Sequence, residues 1–178
     1  MGNKQGLIQI YTGPGKGKTT AACGLALRAS AHKWKVCYIS FHKDPKQSKP
    51  LYVCLKKNGI TVHCFAQSHP LCSGKKNACF ADLKKQCSRG LKFIEKIFKD
   101  NLYDLLIIDE LNICVRDGFL PEKDVLKLMA EKPDNLELVL TGRGATKKMI
   151  KKADLVSFIK EIKHPFNQGI KARKGIEY

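Results

Sequence analysis

Short apolar runs alternate along the chain with longer amphipathic segments. The first run begins at Ile8 and leads directly into a glycine-rich stretch at Gly13. Four further runs have the length and the aliphatic, β-branched composition of strands, and they cover residues 36–40, 60–65, 105–108 and 136–140. A sixth strand is predicted over residues 155–162. This spacing predicts a sheet whose strands are joined by helices.

Apolar residues at intervals of three or four predict the helices. One helix runs from Thr19 to about Ser30, and another opens at Pro121. The inner face of the second carries Val125, Leu128 and Met129. A longer helix precedes the fourth strand, and its inner face carries Phe80, Leu83, Cys87, Leu91, Ile94 and Phe98. The pattern is typical of an α/β fold, a mostly parallel sheet with helices on both faces that binds ligands at the carboxyl ends of its strands.

The glycine-rich stretch has the layout of a phosphate-binding loop. Gly13, Gly15 and Gly17 lie between a strand and a helix, with Lys18 and Thr19 after them. Glycines let backbone N–H groups point at phosphate oxygens, the helix N-terminus attracts the same anion, and lysine adds a full charge. The loop is one residue shorter than the usual G-x-x-x-x-G-K-[ST] pattern. A glycine-rich turn with an exposed basic face is the alternative, but the flanking elements favour a P-loop NTPase-like, RecA-like single domain that binds a nucleoside triphosphate.

Polar side chains at the predicted carboxyl edge supply further candidate ligands. The residues predicted to bind triphosphate are Gly13, Gly15, Lys16, Gly17, Lys18, Thr19 and Thr20. Asp109 and Glu110 follow the fourth strand and, with the Thr19 hydroxyl, are candidate Mg²⁺ ligands. Arg143 lies in a turn after the fifth strand, where an arginine can pair with triphosphate oxygens. An exposed acidic turn and a surface arginine are the plainer alternatives.

Composition narrows the class of protein. The 178 residues fit one domain over residues 1–178. The formal charge of +17 comes from lysines scattered along the chain, without the interleaved aromatic residues of a single-strand-binding platform. Such a surface attracts polyanions, but no nucleic-acid partner is expected. No stretch has the length and apolar character of a signal peptide or a membrane span, so a cytoplasmic protein with no membrane partner is expected.

Eight cysteines are many for a chain of this size. Cys23, Cys37 and Cys114 fall within predicted buried elements, where a free thiol behaves as a small apolar side chain. A second group lies close together in the sequence and comprises Cys64, His69, Cys72, Cys79 and Cys87. No C-x-x-C pair is present and the spacing matches no zinc module, so reduced thiols without a metal are expected.

Several motifs together resemble one known family. They are the run from Tyr11 to Ala22 with Arg28 downstream, the Asp-Glu-Leu after the fourth strand, the Thr-Gly-Arg-Gly turn, and the ending from Lys163 to Tyr178. This set is similar to the ATP:corrinoid adenosyltransferase family, of the cob(I)yrinic acid a,c-diamide adenosyltransferase type, across nearly the whole chain. The shortened phosphate loop is itself a feature of that family.

The resemblance implies transfer of the 5′-deoxyadenosyl group of ATP to the Co(I) of a reduced corrinoid, cobalamin or a precursor, with triphosphate as leaving group. Co(I) is a strong nucleophile, so the protein has to orient the reactants and stabilise charge on the triphosphate. The implied roles are catalysis by Lys18, Arg143 and Glu110, nucleotide contact by Arg28, and binding of Mg²⁺ or Mn²⁺ by Thr19, Glu110 and Asp109. A flavoprotein reductant and a homodimer are also implied.

The chain departs from the family pattern at two places. Pro14 replaces the asparagine that often follows the first loop glycine, which removes an N–H donor. After the third strand, residues 66–72 replace a Phe-Thr-Trp-like group that lies against the lower face of the corrin in relatives. Either Phe65, His69 or Phe80 takes that place, on or beside a loop over residues 66–79, or the corrinoid is held differently.

Two other functions fit the same motifs. A phosphate-loop ATPase acting on nucleic acid would use Glu110 to orient water and would release orthophosphate, whereas a nucleoside kinase would release ADP. The product formed from ATP and a reduced corrinoid separates the three functions, because the adenosyltransferase releases triphosphate.

Overall fold

A computed structural model of the chain describes residues 5–67 and 79–177. Its strands are β1 (Ile8–Thr12), β2 (Val36–Phe41), β3 (Thr61–Phe65), β4 (Leu105–Asp109), β5 (Glu137–Thr141) and β6 (Leu155–Phe158). Its helices are α1 (Lys18–Ala31), α2 (Pro45–Lys57), α3 (Phe80–Asp100), α4 (Leu111–Arg116), α5 (Glu122–Ala130), α6 (Lys147–Lys152) and a 3₁₀ helix (Pro165–Gln168). Within these residues, no helix is long and apolar enough to cross a membrane.

The six strands form one sheet in the order β3-β2-β4-β5-β1-β6, and every neighbouring pair is parallel. The predicted parallel sheet is confirmed. β5 separates β1, which leads into the phosphate loop, from β4, which ends at Asp109. Ser40 of β2 lies opposite Asp109, and Tyr11 of β1 lies opposite Thr141 of β5. The carboxyl ends of four strands therefore meet at one edge of the sheet.

Side chains of the strands alternate between two buried layers, one on each face of the sheet. Leu105 and Ile107 of β4 belong to the layer that includes α1 and α2, and Leu106 and Ile108 belong to the layer that includes α3 to α6. The helix α1 contributes small buried residues to its layer, namely Ala22, Ala26 and Ala29. Small side chains let α1 lie close to the sheet, which holds the preceding phosphate loop at the sheet edge.

The helix α3 confirms the long amphipathic helix predicted before β4. Its predicted inner face is buried at Leu83, Cys87, Leu91, Ile94 and Phe98. Phe80 departs from that prediction, because as the first helical residue it is 50% exposed and stacks on Phe119 with ring centroids 4.7 Å apart. Gly90 lies against β2, where a Cβ atom would come within 2.6 Å of the Phe41 ring.

The strand boundaries agree with the predictions within one residue, except that β6 ends at Phe158 and not at Ile162. Three helices were not predicted from the sequence, namely α2, α4 and α6. Leu55 is the one buried residue among the side chains that the structure describes in α2, so this helix shows little apolar periodicity. The helices α4 and α6 have only six residues each, which is too short for a periodic pattern.

Candidate active site

A cavity of about 760 Å³ opens at the carboxyl edge of the sheet. The phosphate loop lines one side with residues 15–20, and Tyr38 and Lys43 line the side beside β2. Glu110 and Arg143 reach the cavity from the ends of β4 and β5, and Glu177 reaches it from the far end of the described chain. The structure thus brings most of the predicted nucleotide ligands to one place.

The phosphate loop depends on glycine and is attached to the segment that follows β6. Gly13 and Gly17 have φ angles of 106° and 121°, which favour glycine. A Cβ atom at Gly13 would collide with the backbone of Ile159, whose carbonyl also accepts a 2.8 Å hydrogen bond from the Gly15 N–H. Lys18 Nζ donates to the carbonyls of Gly13 at 2.9 Å and Gly15 at 2.5 Å. Burial lowers the pKa of Lys18, although Glu110 opposes this shift.

Asp109 is fully buried at the end of β4 and is surrounded by donors. Its carboxylate accepts hydrogen bonds from the Tyr38 hydroxyl at 2.8 Å, the Thr19 hydroxyl at 3.0 Å and the Thr141 hydroxyl. The Lys43 ammonium lies 3.4 Å from Oδ2 of the same carboxylate. Burial and the adjacent carboxylate both raise the pKa of Tyr38, so this hydroxyl stays a donor. Asp109 therefore joins β2, β4, β5 and the start of α1.

Glu110 is held in a conformation that is unusual for a residue other than glycine. Its φ angle is 65°, and its N–H donates to the Thr141 hydroxyl at 3.1 Å. Oε1 lies 3.2 Å from the Lys43 ammonium, whereas the buried Oε2 has no hydrogen-bond partner among the described residues. Gly142 leaves room for this oxygen, because a Cβ atom there would lie 3.2 Å from Oε2. Strained backbone beside an unpaired buried oxygen is common at functional sites.

Lys43 is a site residue that the sequence did not predict. Its Nζ lies 3.3 Å from Thr19 Oγ1, 3.4 Å from Asp109 Oδ2 and 3.2 Å from Glu110 Oε1. Burial alone would lower the pKa of Lys43, but the two carboxylates outweigh burial and raise it, so the side chain is a cation. The three predicted metal ligands thus converge on one positive charge. An oxygen-only donor set of this kind fits a hard divalent cation.

The C-terminal segment also borders the cavity, a position that was not predicted from the sequence beyond the segment's part in the family resemblance. Glu177 accepts a 2.8 Å hydrogen bond from Lys16 Nζ of the phosphate loop. Arg173 donates to Glu177 from its backbone and its guanidinium, and these bonds together with that of Lys16 lower the pKa of Glu177 to about 2. His164 and Ile176 line the cavity beside them.

Neither Arg28, the predicted nucleotide contact, nor Phe65 and Phe80, the described candidates for corrinoid contact, are among the residues that line the cavity. Arg28 lies in the last turn of α1, about 15 Å along the helix axis from Lys18, and its nucleotide role stays a prediction. Phe65 is half-buried and packs on Phe41 and Phe93, with ring centroids 5.9 and 5.6 Å away. Phe80 is exposed beside Phe119, and His69 and most of the 66–79 segment lie outside the described residues.

Comparisons with known proteins agree with this geometry. A family model described as ATP:corrinoid adenosyltransferase BtuR/CobO/CobP matches residues 4–178. The corrinoid adenosyltransferase of Escherichia coli strain K12 is 32% identical over 99% of this chain and 87% of its own length. The corrinoid adenosyltransferase CobA of Salmonella typhimurium strain LT2 is 32% identical over 98% of this chain and 87% of its own length.

A solved structure supports the fold independently of sequence. The flagellar accessory protein FlaH from Methanocaldococcus jannaschii aligns with a TM-score of 0.59 over 88% of this chain and 72% of its own. At 15% identity, this likeness bears on the fold alone, and it agrees with the P-loop NTPase-like class predicted from the sequence.

Proposed function

Because this chain belongs to the ATP:corrinoid adenosyltransferase family, we propose that its cavity binds ATP along the phosphate loop and presents the ribose C5′ to a reduced corrinoid. The family match gives the chain ATP:corrinoid adenosyltransferase activity, and it does not favour the nucleic-acid ATPase or the nucleoside kinase. In the transfer, a bond forms between cobalt and C5′ while the bond from C5′ to the triphosphate oxygen breaks. Co(I) supplies the electron pair, so no general base is needed.

The protein's task is then to stabilise the negative charge that gathers on the leaving triphosphate. Lys18 and Arg143 line the cavity, together with Thr19 and Thr20 at the start of α1. Cationic groups fixed in place before the reaction lower the barrier where charge develops. The observation that carries the proposal is the common cavity that joins this loop to the Glu110 carboxylate after β4.

Thr19, Asp109 and Glu110 are the proposed ligands of Mg²⁺, with Mn²⁺ as an alternative. Support comes from the convergence of all three on the Lys43 ammonium and from the unpaired Glu110 Oε2. When bound, the ion would supply charge neutralisation to the triphosphate. Lys43 is proposed to balance the two carboxylates when they are not bound to the ion.

Phe80 is the best supported of the three proposed corrinoid contacts. It is exposed, it stacks on Phe119, and Phe119 in turn lies 4.7 Å in ring-centroid distance from His42, which lines the cavity. An exposed aromatic ring joined to the cavity in this way can exclude water from one face of a flat ligand. Phe65, by contrast, is already packed against other rings.

The domain organisation, cellular compartment and partners of the enzyme are proposed from the same family membership. We propose that residues 1–178 form one cytoplasmic domain that receives Co(I) corrinoid from a flavoprotein reductant. Free thiols at the cysteines of the described residues support a reducing compartment. A homodimer is also proposed, and it is supported by the exposed apolar side chains of the edge strand β6, Leu155, Val156 and Phe158. Sedimentation equilibrium tests the dimer.

Identification of the inorganic product tests the proposed reaction. ATP and a chemically reduced corrinoid should give triphosphate and adenosylated corrinoid in equal amounts, which ion chromatography and the corrinoid spectrum measure. Lys18→Ala should nearly abolish the transfer, by several kcal/mol in transition-state stabilisation, whereas Lys147→Ala on the surface should not. Orthophosphate formed without dependence on the corrinoid would contradict the proposal, as would unchanged turnover in Lys18→Ala.

A further inference from the structure

One buried cluster carries metal-binding side chains that the proposed reaction does not use. It consists of His42 at the end of β2, Cys87 on α3 and Cys114 on α4, and it is called the His–Cys–Cys cluster below. Cys87 Sγ lies 3.7 Å from Nε2 of His42 and 3.8 Å from Sγ of Cys114. All three ligand atoms lie within 4.8 Å of one another, and all three residues are buried.

These separations match the edges of a tetrahedral metal site. Zinc binds thiolate sulfur at about 2.3 Å and imidazole nitrogen at about 2.0–2.1 Å, so tetrahedral edges are about 3.8 Å between two sulfurs and about 3.6 Å between sulfur and nitrogen. Two edges of the cluster already have these lengths, and the third is at most 4.8 Å. We propose that the His–Cys–Cys cluster binds one Zn²⁺ ion through three protein ligands.

Charge and ligand chemistry favour Zn²⁺ over other cations. Sulfur and imidazole ligands select zinc and copper(I) over magnesium, manganese or calcium. Cys87 and Cys114 lie in the apolar core, where an uncompensated charge is costly. Two thiolates with Zn²⁺ form a neutral site, whereas two thiolates with copper(I) leave one net negative charge. The described residues supply three ligands, so the fourth position of a tetrahedral ion is open to water or a small anion.

The ion would have a route into the cluster and a defined effect on its surroundings. His42 lines the active-site cavity, which gives access from solvent. Cys114 lies in the short helix α4, and its thiol donates to the Glu110 carbonyl at 3.6 Å. His42 directly precedes Lys43 in the chain. Zinc would therefore bridge β2, α3 and α4 directly behind Lys43 and Glu110, whose charged groups interact in the active site.

The sequence alone did not reveal this cluster, because its ligands lie far apart in the chain and their spacing does not match that of a zinc module. His42 and Cys87 are separated by 45 residues, and Cys87 and Cys114 by 27. Of the cysteines that lie close together in the sequence and that the structure describes, Cys87 is the one that contributes to the cluster. Cys64 contacts Tyr52 and Cys79 is exposed at the start of α3.

A metal titration of the whole chain tests the proposal. Protein kept under a non-thiol reductant and freed of metal with a chelator is titrated with Zn²⁺, and in parallel with Co²⁺ as a spectroscopic probe. The expected result is one Zn²⁺ retained per chain through gel filtration, thiolate-to-cobalt charge-transfer absorption, and release of at least one proton per ion from the two thiols. Zinc should also raise the thermal midpoint.

Variants separate this site from adventitious thiol binding. Cys87→Ala, Cys114→Ala and His42→Phe should each lower zinc affinity more than about a hundredfold, because even residues outside the ligand shell cost up to that much. His42→Phe keeps an aromatic ring beside Phe119, so it guards against loss of binding through misfolding. Cys37→Ala removes a buried thiol of the same core and should bind zinc as the wild type does.

Several results would overturn the proposal. They are the absence of stoichiometric zinc, cobalt spectra without charge-transfer bands, or tight binding of copper(I) alone. Equal loss in Cys37→Ala and Cys87→Ala would overturn it too, as would a Cys87–Cys114 disulfide in reduced protein by mass spectrometry. Circular dichroism of each variant in the presence of chelator must match that of the wild type. A loss of zinc affinity then reflects the loss of a ligand and not misfolding.

Discussion

Replacement of Lys43 with methionine tests whether the oxygen atoms around it form a cation site. Methionine keeps the aliphatic length of lysine but removes the charge that lies 3.2–3.4 Å from Glu110, Thr19 and Asp109. The fully buried Asp109 carboxylate would then lack its cationic partner. The variant should therefore lose stability in the absence of divalent cations.

The size of the loss follows from the burial of the pair. Removing one partner of a fully buried ion pair costs about 3–5 kcal/mol. Lys43 retains 26% of its side-chain exposure, and Asp109 keeps hydrogen bonds from three hydroxyl groups, so we expect about 2–3 kcal/mol. For a chain of 178 residues this corresponds to a fall in thermal midpoint of about 4–12 °C.

Magnesium should reverse part of this loss, because it would bind the same oxygens. Scanning calorimetry with and without Mg²⁺ should show a larger rise in midpoint for Lys43→Met than for the wild type, in which the ammonium opposes the ion. The control is Lys148→Met. Lys148 lies 3.2 Å from Glu122, the same distance that separates Lys43 from Glu110, but this pair is exposed. Its removal should therefore leave the midpoint close to that of the wild type. Equal magnesium responses in Lys43→Met and wild type would refute a shared cation site.

Three further changes test other parts of the structure. Glu110→Gln should raise the Mg²⁺ concentration for half-maximal transfer about tenfold while ATP still binds, and unchanged Mg²⁺ dependence would argue against its role as a ligand. Gly90→Ala should lower stability by about 1–3 kcal/mol in urea unfolding, because its Cβ would clash with a facing phenylalanine ring, while Gly24→Ala, in open space, should not destabilise. Glu177→Gln should free Lys16 and raise ATP affinity about two- to fivefold at low salt, with no gain at high salt.

The fold was largely predictable because its strands and longest helices carry strong patterns. The fourth strand is apolar from Leu105 to Ile108 because both faces of the sheet are covered, and the glycines before Lys18 are required by backbone geometry. Both signals are local in sequence. The predicted extent of β6 was wrong because the chain after Phe158 leaves the strand: the Ile159 backbone bonds to Thr12 and to Gly15 of the phosphate loop, and Ile162 is exposed.

The cluster of Thr19, Lys43, Asp109 and Glu110 was only partly predictable, because its formation depends on which strands are neighbours in the sheet. Asp109 and Thr19 were identified from their motifs. Lys43 follows β2 by two residues, and only the pairing of β2 with β4 places it against both carboxylates. The same reason applies to His42, since no spacing rule joins residues that meet through the order of strands.

The place of β1 within the sheet has a consequence for how the polypeptide folds during its synthesis. The partners of β1 are β5 and β6, and the Ile8 N–H even bonds to the Asp154 side chain 146 residues away. On the ribosome, β2, β3 and β4 emerge and can pair while β1 still lacks both neighbours. Contacts of such long range are slow to form. The nucleotide site is therefore completed late, so ATP can stabilise the finished sheet but cannot assist the nascent intermediates that precede the insertion of β1.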